Sequence, residues 1–189
     1  HAEAGEPFFL YASFFDPHPA CLVPEPWDTL YDPEALTVPQ VTPGEHDKNP
    51  PHFQLTQQPR PDFSPWRVSG QGLHGFHSQL HSPDELRKDI ATYYGMISLM
   101  DKHIGRIVDK LDELGLTQST LVLFSTDHGH FLGHHGLIAK GAFHYEDMVK
   151  VPFIVRQPGC VPAGVRSDAL QSLVDLSPSF LGHLGLPIP

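Results

Sequence analysis

An α/β fold is predicted for this 189-residue chain from three observations. A stretch from Ser82 to Gly115 carries helical apolar spacing, a short apolar run follows it directly, and that run ends in the polar loop Asp127-His128-Gly129. Helix, strand and then a polar loop at the strand's carboxyl end is the order of an α/β unit. In open α/β sheets, ligands bind outside those carboxyl ends.

In chain order, Pro7 to Phe14 is a continuous apolar run after turn-type residues, and reads as a buried strand of the kind found in parallel sheets. From about 16 to 83 the chain is rich in Pro, His and Gln with no sustained period. Its DPHPA, VPEPW, KNPPH and QPRPDFSP stretches signal turns and extended backbone. A loop of this length is expected to be a binding or lid region, here an excursion over the active-site side of the sheet. Ser82-Pro83-Asp84-Glu85 then supplies an N-cap, a proline at the first helical position and a capping-box glutamate. Ile90, Tyr94, Ile97, Ile104, Val108 and Leu111 form the apolar stripe, Gly115 stops the helix, and Asp101 is expected on the inward face as a satisfied buried carboxylate. Leu121 to Thr126 and Val151 to Val155 read as two more strands, and Ser172 to Leu184 as a helix ended by Gly185 and Pro187.

Composition narrows the functional classes. With 40% hydrophobic and 18% charged residues the chain reads as globular. A formal net charge of −10 argues against nucleic acid or an anionic membrane as partner, since both attract basic surfaces. It leaves room for a small anion held by a metal and one lysine. No apolar stretch approaches a membrane span of roughly 20 residues. The opening His1-Ala-Glu-Ala-Gly5 is neither a signal peptide nor a translation start, so a cut N-terminus is expected and localisation is not readable. Cys21 and Cys160 are too few for a disulfide framework and read as two free, partly buried thiols.

The chemistry concentrates in Ser125-Thr-Asp-His-Gly-His-Phe-Leu-Gly-His-His-Gly-Leu-Ile-Ala-Lys-Gly141. Asp127 and His128 stand side by side at a strand end, and a turn at Gly129 lets both point at one ion. A carboxylate with one imidazole suits a divalent cation. Lys140 can place a positive charge beside it. On local chemistry alone three readings remain open: that partial metal site, a zinc site built from His128, His130, His134 and His135, and a polar loop with scattered surface histidines.

This segment resembles the second metal-binding segment of the sulfatase family, in the alkaline-phosphatase-like superfamily. Its Asp-His form, with Leu-Gly-x-His-Gly and then Ala-Lys, looks most like the iduronate- and choline-sulfatase-like branch. The stretch FFLYASFFDPHPACLVPEPWDTLYDP is similar to the family's strand and Pro-His-x-Pro-type loop. YYGMISLMDKHIGRIVDKLDELG, VPFIVRQPG and LVDLSPSFLGHLGLPIP resemble the family's flanking helix and the stretch after the metal-binding strand. Only the segment from about Thr42 to Leu80 is generic.

The resemblance implies a central mixed sheet flanked by helices. It implies Asp127 and His128 as metal ligands, Lys140 as a sulfate contact, and His18 as a contact to the sulfate or the leaving-group oxygen. It implies hydrolysis of a small sulfate ester with a divalent metal, Ca²⁺ first with Mg²⁺ or Mn²⁺ open, and with a formylglycine nucleophile. The family's Cys/Ser-x-Pro-x-Arg motif is matched by neither Cys21 nor Cys160. The nucleophile, the paired Asp ligands and a second Lys/His pair are therefore expected upstream of His1, in a protein of which this chain is a fragment. A phosphonate or phosphate ester hydrolase of the same superfamily, and a non-catalytic fragment, are the competing expectations. The alcohol released and the oligomeric state are not readable.

Overall fold

Helix α2, Pro83–Glu113, is the longest element, and its ends follow the sequence closely. The Ser82 hydroxyl accepts from the Glu85 amide while the Glu85 carboxylate accepts from the Ser82 amide, a complete capping box with Pro83 at the first position. At the other end the Leu116 amide donates to Leu111 and the Gly115 amide to Asp112, the paired bonds of a Schellman stop.

The structure, a computed structural model, describes residues 5–62, 64 and 81–188. The downstream part of the predicted Pro-rich excursion, 63 and 65–80, lies outside the described residues. The rest is more ordered than its composition suggests. Two single 3₁₀ turns, Trp27–Thr29 and Pro33–Ala35, pack on α2, and a short helix α1 spans Pro51–Leu55. Strand β1 (Val122–Ser125), helix α3 (Glu146–Val149), strand β2 (Phe153–Arg156) and helix α4 (Leu176–His183) complete the order. Ser172 caps the 3₁₀ turn that leads into α4, as the predicted helix there requires. β1 and β2 pair antiparallel, with Val122 opposite Arg156 and Ser125 opposite Phe153. Among the described residues no helix is long and apolar enough to cross a membrane.

Three expectations are corrected. Pro7 to Phe14 is not a strand: among the described residues it has no ladder partner, and Phe9, Leu10 and Tyr11 are 81%, 66% and 80% exposed. An apolar run signals what a segment can bury, whereas strand formation also needs a neighbour for its backbone hydrogen bonds. Asp101 is exposed rather than inward. The buried face of α2 is Leu86, Ile90, Ala91, Gly95 and Met96, rotated from the predicted stripe so that Tyr94 and Ile97 are partly open. A close backbone approach sets this rotation, because a Cβ on Gly95 would lie 2.3 Å from the Trp27 carbonyl oxygen. Finally, Cys160 is exposed while Cys21 is half-buried; both are free thiols, as predicted.

The core lies under the loop between β1 and α3. Phe53 of α1 packs with Phe131, Leu137, Phe143 and Met148, and Phe131, Leu137 and Phe143 are fully buried. The Phe53 and Phe143 rings meet edge to face, centroids 4.9 Å apart. The Pro-rich excursion thus supplies part of the hydrophobic floor on which the loop rests.

Candidate metal and anion site

β1 ends at Ser125 and delivers Thr126 and Asp127 to its carboxyl end. The Asp127 carboxylate is 83% exposed, and its Oδ1 accepts from the His128 amide at 3.0 Å and the Thr126 hydroxyl at 3.3 Å. Desolvation pushes its carboxyl up, but the His128 charge, the amides of Asp127 and His128 and the Thr126 hydroxyl together hold it below the usual range. His128 donates from Nδ1 to the Gly129 carbonyl at 2.8 Å. That bond fixes the tautomer and puts the lone pair on Nε2, the nitrogen a ligand histidine would use, where it accepts from Lys140 Nζ. Nε2 stands 3.6 Å from Asp127 Oδ2 and 3.2 Å from Lys140 Nζ. His128 Nε2 thus lies between the Asp127 carboxylate and the Lys140 ammonium.

A loop closure brings Lys140 back to His128. The Phe131 amide donates to the Ala139 carbonyl at 3.0 Å and the Gly133 amide to Leu137 at 2.8 Å, so the segment doubles back across a narrow neck. Phe131 and Leu137 anchor the neck in the core. Leu132, His135 and Ala139 adopt left-handed backbone, with φ of 49°, 57° and 55°, each a local strain that the packing beneath must outweigh. At the upstream side the Gly129 amide donates to Met148 O at 2.8 Å, and a Cβ there would lie 1.8 Å from the Asp147 carbonyl oxygen. Glycine is required for that close approach.

His18 is half-buried and donates from Nδ1 to the Pro19 carbonyl at 2.5 Å. The charges of His128, Lys140 and His18 all act on the His130 imidazole. Burial, followed by those three charges, pushes the His130 imidazole down to about 4. His130 stacks on Tyr93 of α2, centroids 5.0 Å apart. Burial and the nearby Cys21 raise the Tyr93 phenol, while burial, then Asp89 and Asp16, raise the Cys21 thiol. Tyr93 is a neighbour of the site that the sequence pattern misses. The one signal for it is the aromatic pair Tyr93-Tyr94, of which helical spacing selects only Tyr94.

The four-histidine zinc reading is corrected, because the structure divides the set. His135 contacts Glu45 Oε2 from Nδ1 and Asp147 Oδ2 from Nε2, both at 3.0 Å. His134 Nδ1 lies 3.3 Å from Asp147 Oδ1. The His135 ring stacks on Tyr145 at 3.7 Å, and Tyr145 in turn hydrogen-bonds His46 and Asn49. These residues form a strut between the excursion and α3, away from His128. Among the described residues no group of three or more His, Cys, Asp or Glu could hold a metal. Asp127 and His128 fit a cation as two ligands of a larger set, with a carboxylate oxygen and an imidazole lone pair turned to the same side. Two shallow clefts of about 200 and 230 Å³ flank Pro39 near Gly133, and neither is lined by Asp127, His128 or Lys140.

The model of the family described as Sulfatase matches residues 1–186. The chain belongs to the sulfatase family. Its relatives include the multifunctional alkaline phosphatase superfamily protein PehA of Trinickia caryophylli, 29% identical over 98% of this chain and 35% of that protein. Mouse iduronate 2-sulfatase is 27% identical over 98% of this chain and 37% of its own length. Among solved structures, the phosphonate monoester hydrolase of Silicibacter pomeroyi covers the whole chain at 29% identity with a TM-score of 0.78, over 36% of that protein. The fold is thus of the alkaline-phosphatase-like sulfatase class, and the chain spans little more than a third of the length of these relatives.

Proposed function

We propose that this chain is part of the catalytic domain of a metal-dependent hydrolase of sulfate esters, with the excursion at about 16–83 over the active-site side. The observation that carries the reading is the convergence of Asp127 Oδ2, His128 Nε2 and Lys140 Nζ at the end of β1 in a sulfatase-family chain. Asp127 and His128 would hold a divalent cation, Ca²⁺ by the oxygen-rich ligand set such a site implies. When bound, the metal supplies Lewis acidity toward an ester oxygen and toward the nucleophile. Lys140 places a fixed positive charge where negative charge gathers on the transferring group. His18 keeps its Nδ1 proton on Pro19 and turns Nε2 to the leaving oxygen, to orient or protonate it. The nucleophile, a formylglycine by family resemblance, comes from a segment upstream of this chain.

A second reading is hydrolysis of phosphonate or phosphate esters, which the likeness to phosphonate monoester hydrolases favours. Rates of the full-length protein on 4-nitrophenyl sulfate, 4-nitrophenyl phosphate and phenylphosphonate esters separate the two. Preference for the sulfate, with a formylglycine-bearing peptide by mass spectrometry, supports the first. Preference for a phosphorus ester replaces it with the second.

A further inference from the structure

His130 differs from His128, His134 and His135 in how it is held. One face of its ring lies on Tyr93, with planes 29° apart, so the ring cannot swing toward α2. Among the described residues neither of its ring nitrogens has a hydrogen-bond partner, whereas His128 uses Nδ1 on Gly129 and His135 uses both nitrogens on carboxylates. A half-buried imidazole normally satisfies its polar edge within the protein. Here the flat face is fixed and the polar edge is left open, in the electrostatic field of His18, His128 and Lys140 together. Three segments meet at this point: the loop carrying His18 and Cys21, helix α2 through Tyr93, and the metal-side loop. In the proposed site, Lys140 and the two metal-side residues serve the anionic centre and His18 serves the leaving oxygen.

We propose that His130, stacked on Tyr93, is a substrate-contacting residue that recognises the alcohol portion of the ester beside His18. The inference rests on the proposed ester hydrolysis and adds to it a specificity role. A backed, flat ring with a free donor and a free acceptor suits a planar or hydroxyl-bearing alcohol group. It does not suit the anion, which the cationic groups serve.

The test uses the full-length protein and two esters of whichever acid it hydrolyses, the 4-nitrophenyl and the methyl ester. For His130→Ala the ratio of kcat/KM between the two esters should change by about tenfold. The inhibition constant of inorganic sulfate (or phosphate, for a phosphorus ester) and the bound metal content should stay as in the wild type. His130→Phe keeps the stack and removes the nitrogens, so it should retain the melting temperature and part of the aryl preference. With a wild type that turns the esters over, an unchanged ester ratio in both His130→Ala and His130→Phe overturns the role of His130 alone and leaves the ester-hydrolase reading standing. So does an inhibition constant that weakens in step with KM, which would put His130 at the anion. A wild type that hydrolyses none of the sulfate, phosphate or phosphonate esters overturns the ester-hydrolase reading, and the inference with it.

Discussion

The two halves of the loop after β1 use the same residue types to opposite ends. Upstream, the Asp127 carboxylate is 83% exposed, His128 Nε2 is met by Lys140, and the His130 ring is stacked on Tyr93 with no hydrogen-bond partner among the described residues. Downstream, His134 and His135 are closed off by Glu45 and Asp147, with Tyr145 stacked on His135. The polar groups of the second half are spent on one another and hold the loop to the excursion and α3. In the first half Asp127 and His128 are positioned by backbone bonds, and one carboxylate oxygen of Asp127 stays exposed. In a histidine-rich segment, the degree of satisfaction distinguishes side chains that residue type does not.

The sharpest way to break this comparison is at the open half. In the full-length protein Lys140→Ala should lower turnover by about 10²–10³, the cost of losing one preorganised charge, with an unchanged melting temperature. An unaltered rate would remove Lys140 from the site. Asp127→Asn should act in the same range and also lower bound metal, read by elemental analysis after dialysis.

Gly129→Ala tests the joint between the halves. Its Cβ would collide with the Asp147 carbonyl, so α3 or the loop must move, at a cost of about 3 kcal/mol. Denaturant unfolding measures this, and metal content should fall with stability because Asp147 and His128 sit on opposite sides of the contact. A neutral substitution would show that the loop is slack.

At the closed half, His135→Ala removes two charge-assisted contacts and the ring stack, for about 2 kcal/mol of stability. It should change kcat far less than Lys140→Ala. Glu45→Gln combined with it should add less than its own single effect, since both act on one network. Full additivity would deny that the two side chains share a strut.

The smallest effect is at the start of α2. Ser82→Ala removes the N-cap, at about 1 kcal/mol, with no effect on turnover. The Glu85 carboxyl is held below its ordinary 4.5 by the Ser82 amide and then the Ser82 hydroxyl. Its contribution is therefore complete above pH 4.5 and fades as pH falls through the lowered value, so the variant should show a flatter loss of stability on acidification.

Much of this arrangement is legible in the sequence because it is local. The capping box of Ser82 and Glu85, the stop at Gly115 and the turn at Gly129 depend on residues within a few positions of one another. The grouping of Asp127 and His128 needs only one turn of backbone. Pro7 to Phe14 departs from its predicted strand because an apolar run says nothing about whether a neighbouring strand stands beside it. Asp101 departs from its predicted inward place because the 3₁₀ turn at Trp27, far away in sequence, sets which face of α2 is covered. The roles proposed for His18 and Lys140 come from the family resemblance, to which spacing adds only the approach of Lys140 to His128.

By itself, the sequence determined helix α2 with its caps, the two strands β1 and β2, the C-terminal helix and the cluster of ligand-type residues at the end of β1, since short-range backbone geometry and apolar periodicity decide these. Only the tertiary structure decided which histidines are spent and which are open. Glu45 lies 90 residues before His135, and Tyr93 lies 37 before His130. Partners so remote meet only when α1, α2 and the loop share one core around Phe53, Phe131 and Phe143. Burial and long-range pairing then assign each imidazole its role, and neither is written in the local pattern.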